Sequence, residues 1–82
     1  MDSSRFNSPV TLSSRTAGET MSITSASEAM AYLLNSWLGK RDTPHRTAVQ
    51  ACHDAISGEK SAATARRALV AAARQAGFLV SA

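Results

Sequence analysis

The sequence lacks the features of a disulfide-stapled, secreted or membrane-spanning protein. It contains a single cysteine, Cys52, so no internal disulfide can form. No apolar run approaches the ~20 residues of a membrane span. Arg5 lies near the start, but no apolar segment of the kind found in secretory signals follows it. We therefore expect a cytoplasmic protein without a membrane partner.

The chain also has few aromatic residues and only a small excess of positive charge. Aromatics make up 5% of the chain and the formal net charge is +3. These values are too low for a single-strand stacking platform or a dedicated nucleic-acid tail. The chain has no CxxC or HExxH spacing, and the loop around Gly18 lacks the further glycine and lysine of a phosphate-binding loop. We expect no cofactor and no enzymatic activity.

The 82 residues are enough for one domain with a thin core. Hydrophobic residues reach 44%, but alanine supplies many of them. Residues 1–8 are polar and predict a disordered tail, which leaves residues 9–82 as the domain. Because so small a core is only marginally stable, self-association as a homodimer is one hypothesis.

Sequence periodicity predicts an α+β fold of order ββααα, with a third strand as an option. Val10–Ser13 and Met21–Thr24 alternate apolar and polar residues around a glycine-containing loop, which indicates a β-hairpin. Helix one begins with a capping box at Ser25 and Glu28. The apolar stripe of helix one is predicted at Met30, Leu33, Leu34, Trp37 and Leu38, with Gly39 ending the helix.

Two further helices follow, each ended by a glycine. Thr43 and Pro44 suit the cap and first position of helix two, and Gly58 ends it. Helix three begins near Ser61 and ends at Gly77. The predicted inner positions of the two helices are Ala48, Val49, Cys52, Ala55 and Ile56, then Ala65, Leu69, Ala72, Ala73 and Ala76. The apolar segment Phe78–Val80 is either a third strand, which we favour, or a tail tucked into the core.

One ordered set of residues runs along the chain, namely Phe6, Pro9, Val10, Ser25, Glu28, Ala29, Leu34, Trp37, His45, Ala48, Cys52, Ala55, Gly58, Ala65, Arg66, Ala73, Ala76, Gly77 and Val80. This set resembles a family of small bacterial proteins, the domain-of-unknown-function family 982. The resemblance spans about residues 6–80 and implies one compact α+β domain, with no assigned catalytic residue, substrate or cofactor.

His45, Cys52 and His53 are the residues that invite a metal or nucleophile hypothesis. On one helix only His45 and Cys52 share a face, whereas zinc requires three or four converging ligands. Cys52 also falls in the middle of an apolar stripe, unlike the exposed, electropositive positions of reactive cysteines. We therefore interpret Cys52 as a small core residue and His45 as a polar residue near the core edge, and place an enzyme or metal protein third among the alternatives.

Helix three carries the more interesting set of candidate partner-binding residues. Arg67, Val70 and Arg74 fall close to one line along the helix, with Arg66 to one side. Lys40, Arg41 and Arg46 form a second basic cluster around the loop between helices one and two. A solvated helix face is the simplest interpretation of such a pattern.

These observations favour a non-enzymatic protein-interaction or regulatory module that binds a protein partner or a second copy of itself. The alternative is a nucleic-acid-binding accessory protein that uses the same basic face. Against this alternative, helix three offers no Asn or Gln in its first turns to contact bases.

Overall fold

The computed structural model of the chain describes residues 5–13, 19–35, 37 and 41–81. It contains a three-stranded sheet and three helices, and the predicted α+β class and element order are confirmed. The elements are β1 (Arg5–Ser13), β2 (Thr20–Ser25), α1 (Ala26–Asn35), α2 (Thr43–Ser57), α3 (Ala62–Ala76) and β3 (Leu79–Ser81).

The sheet is antiparallel with the order β2-β1-β3. Val10 lies opposite Ile23, and Leu12 lies opposite Met21 on one side and Leu79 on the other. Because side chains alternate along a strand, Val10, Leu12 and Ile23 point into the core. The other face of the sheet carries hydroxyl residues, among them the exposed Ser22.

The strands confirm the predicted hairpin and third strand but differ in their bounds. β1 begins at Arg5, so residues 5–8, which we expected in a disordered tail, belong to the strand. Phe6 is buried there and shares the period-two pattern of Val10 and Leu12. The hairpin loop around Gly18 lies outside the described residues. β3 confirms the strand alternative for the C-terminal apolar segment.

The predicted inner face of α1 is partly wrong. The helix ends at Asn35, so Trp37 lies beyond it, half-buried, and Leu38 and Gly39 lie outside the described residues. Leu34 is 46% exposed, whereas Tyr32 is buried. The buried set is Ala26, Ala29, Tyr32 and Leu33, with Met30 packed at its margin. Burying this set instead turns the small Ala26 and Ala29 inward, and small residues allow a helix to approach the elements packed against it closely.

α2 and α3 agree closely with the predicted caps. Ser61 accepts a hydrogen bond from the backbone N–H of Thr64, and Gly58 and Gly77 adopt the left-handed conformation with φ of 87° and 85°. α2 begins one residue earlier than predicted, with Asp42 as its N-cap. Among the predicted inner positions, Ile56 and Ala76 are wrong because both are exposed in the final turns.

The core lies between the sheet and the helices. α2 and α3 contribute mainly small side chains to the core, where Ala48, Ala55, Ala65 and Ala72 are all buried. Leu69 and Leu33 supply the larger side chains that fill the remaining space. None of the described helices is both long and apolar enough to cross a lipid bilayer.

Candidate functional site

An open groove of about 350 Å³ lies between α3 and the first half of β1. Its lining residues are Asn7, Ser8, Ala63, Arg66, Arg67 and Val70. Three of the six candidate residues from the sequence therefore lie in one groove. The small side chain of Ala63 and the apolar Val70 leave the groove partly apolar, with two guanidinium groups beside them.

Arg66 joins α3 to β1 directly. Its Nε donates a hydrogen bond of 3.0 Å to the backbone carbonyl of Ser8, a residue 58 positions away in the chain. This bond fixes the guanidinium at the wall of the groove and satisfies one carbonyl of the strand. Arg66 therefore has a structural role in addition to presenting a positive charge to the groove.

In the part of the chain that the structure describes, no carboxylate forms an ion pair with either arginine of the groove. Among the described residues the one ion pair joins His53 to Asp54, outside the groove. The described residues that line the groove include no acidic side chain. Because guanidinium groups carry their charge at all physiological pH values and donate several hydrogen bonds, this wall favours an anionic group.

The groove lies beside a segment of β1 that β3 does not reach. β3 pairs with Thr11 and Leu12, and Ser13 N–H donates to the carbonyl of Phe78. Asn7 and Ser8 precede this paired segment. Within the described residues, no strand lies beside them on the β3 side of β1. An unpaired strand next to a helix is a place where an extended peptide can add to a sheet.

The other candidate residues are not brought into the groove. Arg74 is exposed on α3, two turns beyond Arg67, and is therefore about 10 Å further along the helix axis. Arg41 donates from Nη2 to the carbonyl of Leu34 at 2.9 Å, and so caps the end of α1. Lys40 lies outside the described residues.

His45 is buried and lies at the junction of α1 and α2. Its Nε2 lies 2.7 Å from the carbonyl oxygen of Leu33, and its ring centroid lies 5.3 Å from that of Trp37. Because a carbonyl can only accept, Nε2 carries the proton in this pair. From the sequence we expected His45 near the edge of the core. In the structure it is buried and forms a hydrogen bond that joins α2 to α1.

Cys52 and His53 do not converge with His45. Cys52 is 0% exposed, and burial raises the pKa of its thiol to about 11. His53 is 68% exposed, and its Nδ1 lies 3.7 Å from a carboxylate oxygen of Asp54. The part of the chain that the structure describes gathers no group of three metal-ligating side chains.

Asn7 and Ser8 are the groove residues that the sequence analysis missed. We assigned them to a disordered tail because residues 1–8 are polar and rich in serine. A signal was available, since Phe6, Val10 and Leu12 all lie on even positions and extend the period of a strand back to residue 6. No local signal indicates the contact between Ser8 and Arg66.

Comparison with known proteins extends the description. A similar solved structure is the NMR structure of Agrobacterium tumefaciens protein Atu1219, a target of the Northeast Structural Genomics Consortium. The two chains are 30% identical with a TM-score of 0.80, and the match covers 99% of this chain and 80% of that chain. No curated protein matches the sequence. The family model named "protein of unknown function (DUF982)" matches residues 8–80, and the chain therefore belongs to this family.

Proposed function

We propose that this protein is a non-enzymatic interaction module that binds an extended, acidic segment of a partner protein in the groove between α3 and β1. The observation that carries the proposal is the pair of arginines, Arg66 and Arg67, which have no carboxylate partner among the described residues and lie beside a segment of β1 that β3 does not pair. The Ser8 carbonyl already accepts from Arg66, so the segment would pair through the remaining backbone groups of the strand, and the arginines select the charge of the incoming segment.

The dimensions of the groove suit a short segment. Ala63 and Val70 are two helical turns apart, which is about 10 Å along α3. An extended chain rises about 3.3 Å per residue, so about three of its residues lie in the groove. Alternate residues of that segment face the same side, so acidic residues two positions apart can both face α3.

Several features favour a protein segment over a nucleic acid. Ala63 and Val70 are better matched to apolar side chains than to phosphates, and no aromatic ring lines the groove. Tight non-specific binding to a duplex needs more phosphate contacts than two arginines supply. Nucleic-acid binding through the same face remains the alternative and is an arm of the test.

The proposal can be tested by NMR titration of the 15N-labelled protein. The protein probe is a peptide of alternating Glu and Val residues, and its matched control has Lys in place of each Glu. The nucleic-acid probe is a thymidine dodecamer. We expect the acidic peptide alone to shift the amide signals of Asn7, Ser8 and the α3 residues of the groove.

Two outcomes would overturn the proposal. One is a shift pattern from the acidic peptide that lies elsewhere on the protein. The other is binding of the thymidine dodecamer to the groove with higher affinity than the peptide, which would establish the nucleic-acid alternative.

A further inference from the structure

The two arginines of the groove between α3 and β1 differ in how they are held. Arg66 is half-buried, and its Nε donates to the carbonyl oxygen of Ser8 at 3.0 Å. Arg67 is exposed and forms no hydrogen bond or ion pair among the described residues. An unrestrained arginine side chain has many rotamers and loses this freedom when it binds a ligand. Arg66 is restrained before any ligand arrives, whereas Arg67 is not.

The bond to Ser8 also determines which part of the Arg66 guanidinium is left for a ligand. A guanidinium is planar, and its N–H donors lie on Nε and on the two terminal nitrogens. Because Nε donates to Ser8, the donors that remain are those on Nη1 and Nη2. Within the described part of the chain, neither of these nitrogens has an acceptor. Together they form an edge that matches the two oxygens of a carboxylate.

We propose that Arg66 is the specificity-determining residue of the groove, and that it binds one carboxylate of the partner segment through Nη1 and Nη2 while Ser8 holds Nε. This inference rests on the proposed function and assigns different roles to the two arginines. Arg66 binds a carboxylate in a defined geometry. Arg67 contributes positive charge that attracts the acidic segment, without fixing where its carboxylates lie.

Lysine is not equivalent to arginine in the role assigned to Arg66. A lysine side chain keeps the charge but ends in a single ammonium group in place of the planar fork. At position 66, lysine therefore loses both the bond from Nε to Ser8 and the edge of two nitrogens. At position 67, where the charge alone contributes, lysine should serve almost as well. Variants that conserve charge thus separate geometry from charge.

The affinity of the alternating Glu and Val peptide for Arg66→Lys and Arg67→Lys tests the proposal. We expect Arg66→Lys to weaken binding roughly fivefold and Arg67→Lys to change it about twofold or less, because only Arg66 has a restrained geometry to lose. Both variants keep the net charge of +3, so the difference between them should persist when added salt screens the charges.

The outcomes distinguish this inference from the proposed function. If the wild-type groove binds the peptide and the two lysine variants lose affinity equally, Arg66 has no special role, and the proposed function still holds. If the wild-type protein does not bind the peptide in the groove, both the proposed function and this inference are overturned.

A measurement on the free protein tests the restraint of Arg66 without any peptide. Hydrogen-bonded N–H groups exchange slowly with water. In the 15N-labelled protein, the Nε proton of Arg66 should therefore exchange more slowly than that of Arg67. The acidic peptide should shift the Arg66 Nε signal without speeding its exchange, since the carboxylate binds the other two nitrogens. Equally fast exchange at Arg66 and Arg67 would contradict the bond to Ser8 and overturn the proposal.

Discussion

Replacement of His45 by alanine is the most informative test of how the helices are joined. The variant loses the hydrogen bond from Nε2 to the carbonyl of Leu33 and the ring contact with Trp37. Leaving a buried carbonyl without its donor costs about 1–3 kcal/mol, and an aromatic ring contact contributes about 0.5–1.5 kcal/mol. We therefore expect His45→Ala to lower the free energy of unfolding by about 2–4 kcal/mol.

Urea unfolding followed by far-UV circular dichroism measures this change. A chain of this size should also show a fall in Tm of about 10–25 °C. His45→Gln keeps a nitrogen donor near the position of Nε2 and should recover about 1 kcal/mol of the loss. His53→Ala removes an exposed imidazole and should change stability by less than about 0.5 kcal/mol. A loss below about 1 kcal/mol in His45→Ala would refute the assigned role.

Three further predictions concern Tyr32, Cys52 and Glu28. The hydroxyl of Tyr32 is buried without a hydrogen-bond partner among the described residues. Tyr32→Phe should therefore be as stable as wild type, or up to about 1 kcal/mol more stable, in the same urea assay. A clear loss of stability would reveal a partner for the hydroxyl. Cys52 should resist alkylation by iodoacetamide at pH 8 until the protein unfolds, because burial raises the pKa of its thiol to about 11; rapid labelling of the folded protein would contradict this. Hydrogen bonds from the Thr24 side chain and backbone, helped by Arg5, lower the pKa of Glu28 below 4.5. The contribution of Glu28 to stability is therefore complete above about pH 4.5 and is lost as the pH falls through the lowered pKa. Glu28→Gln should therefore show a weaker fall in stability than wild type below pH 4.5, and an identical acid profile would refute the assignment.

The parts of the fold that depend on nearby residues could be predicted from the sequence. Ser61, Gly58 and Gly77 act within one helical turn of the groups that they satisfy, so their patterns predict the ends of α2 and α3. The capping serine of α1 was also predicted, since Ser25 Oγ accepts from the N–H of Glu28. The Glu28 side chain instead accepts from Thr24, one residue before the cap.

The parts of the fold that depend on distant residues could not be predicted from the sequence. Leu34 and Tyr32 are both plausible inner residues of α1, and the choice between them depends on where the helix ends and how it meets the sheet. The groove needs Ser8 and Arg66 to meet across most of the chain. The sequence therefore predicted the arginines of α3 but not the strand beside them, which forms the other wall of the groove.

The affinity of the acidic peptide for two charge-matched variants tests the central claim most directly. Arg67→Glu reverses one charge in the groove, and Arg46→Glu makes the same change on an exposed residue of α2 outside it. With a fluorescein-labelled peptide of alternating Glu and Val, followed by anisotropy, we predict that Arg67→Glu weakens binding at least roughly tenfold while Arg46→Glu changes it about twofold or less. Equal losses in the two variants would mean that the peptide responds to net charge alone, and would contradict a binding site in the groove between α3 and β1.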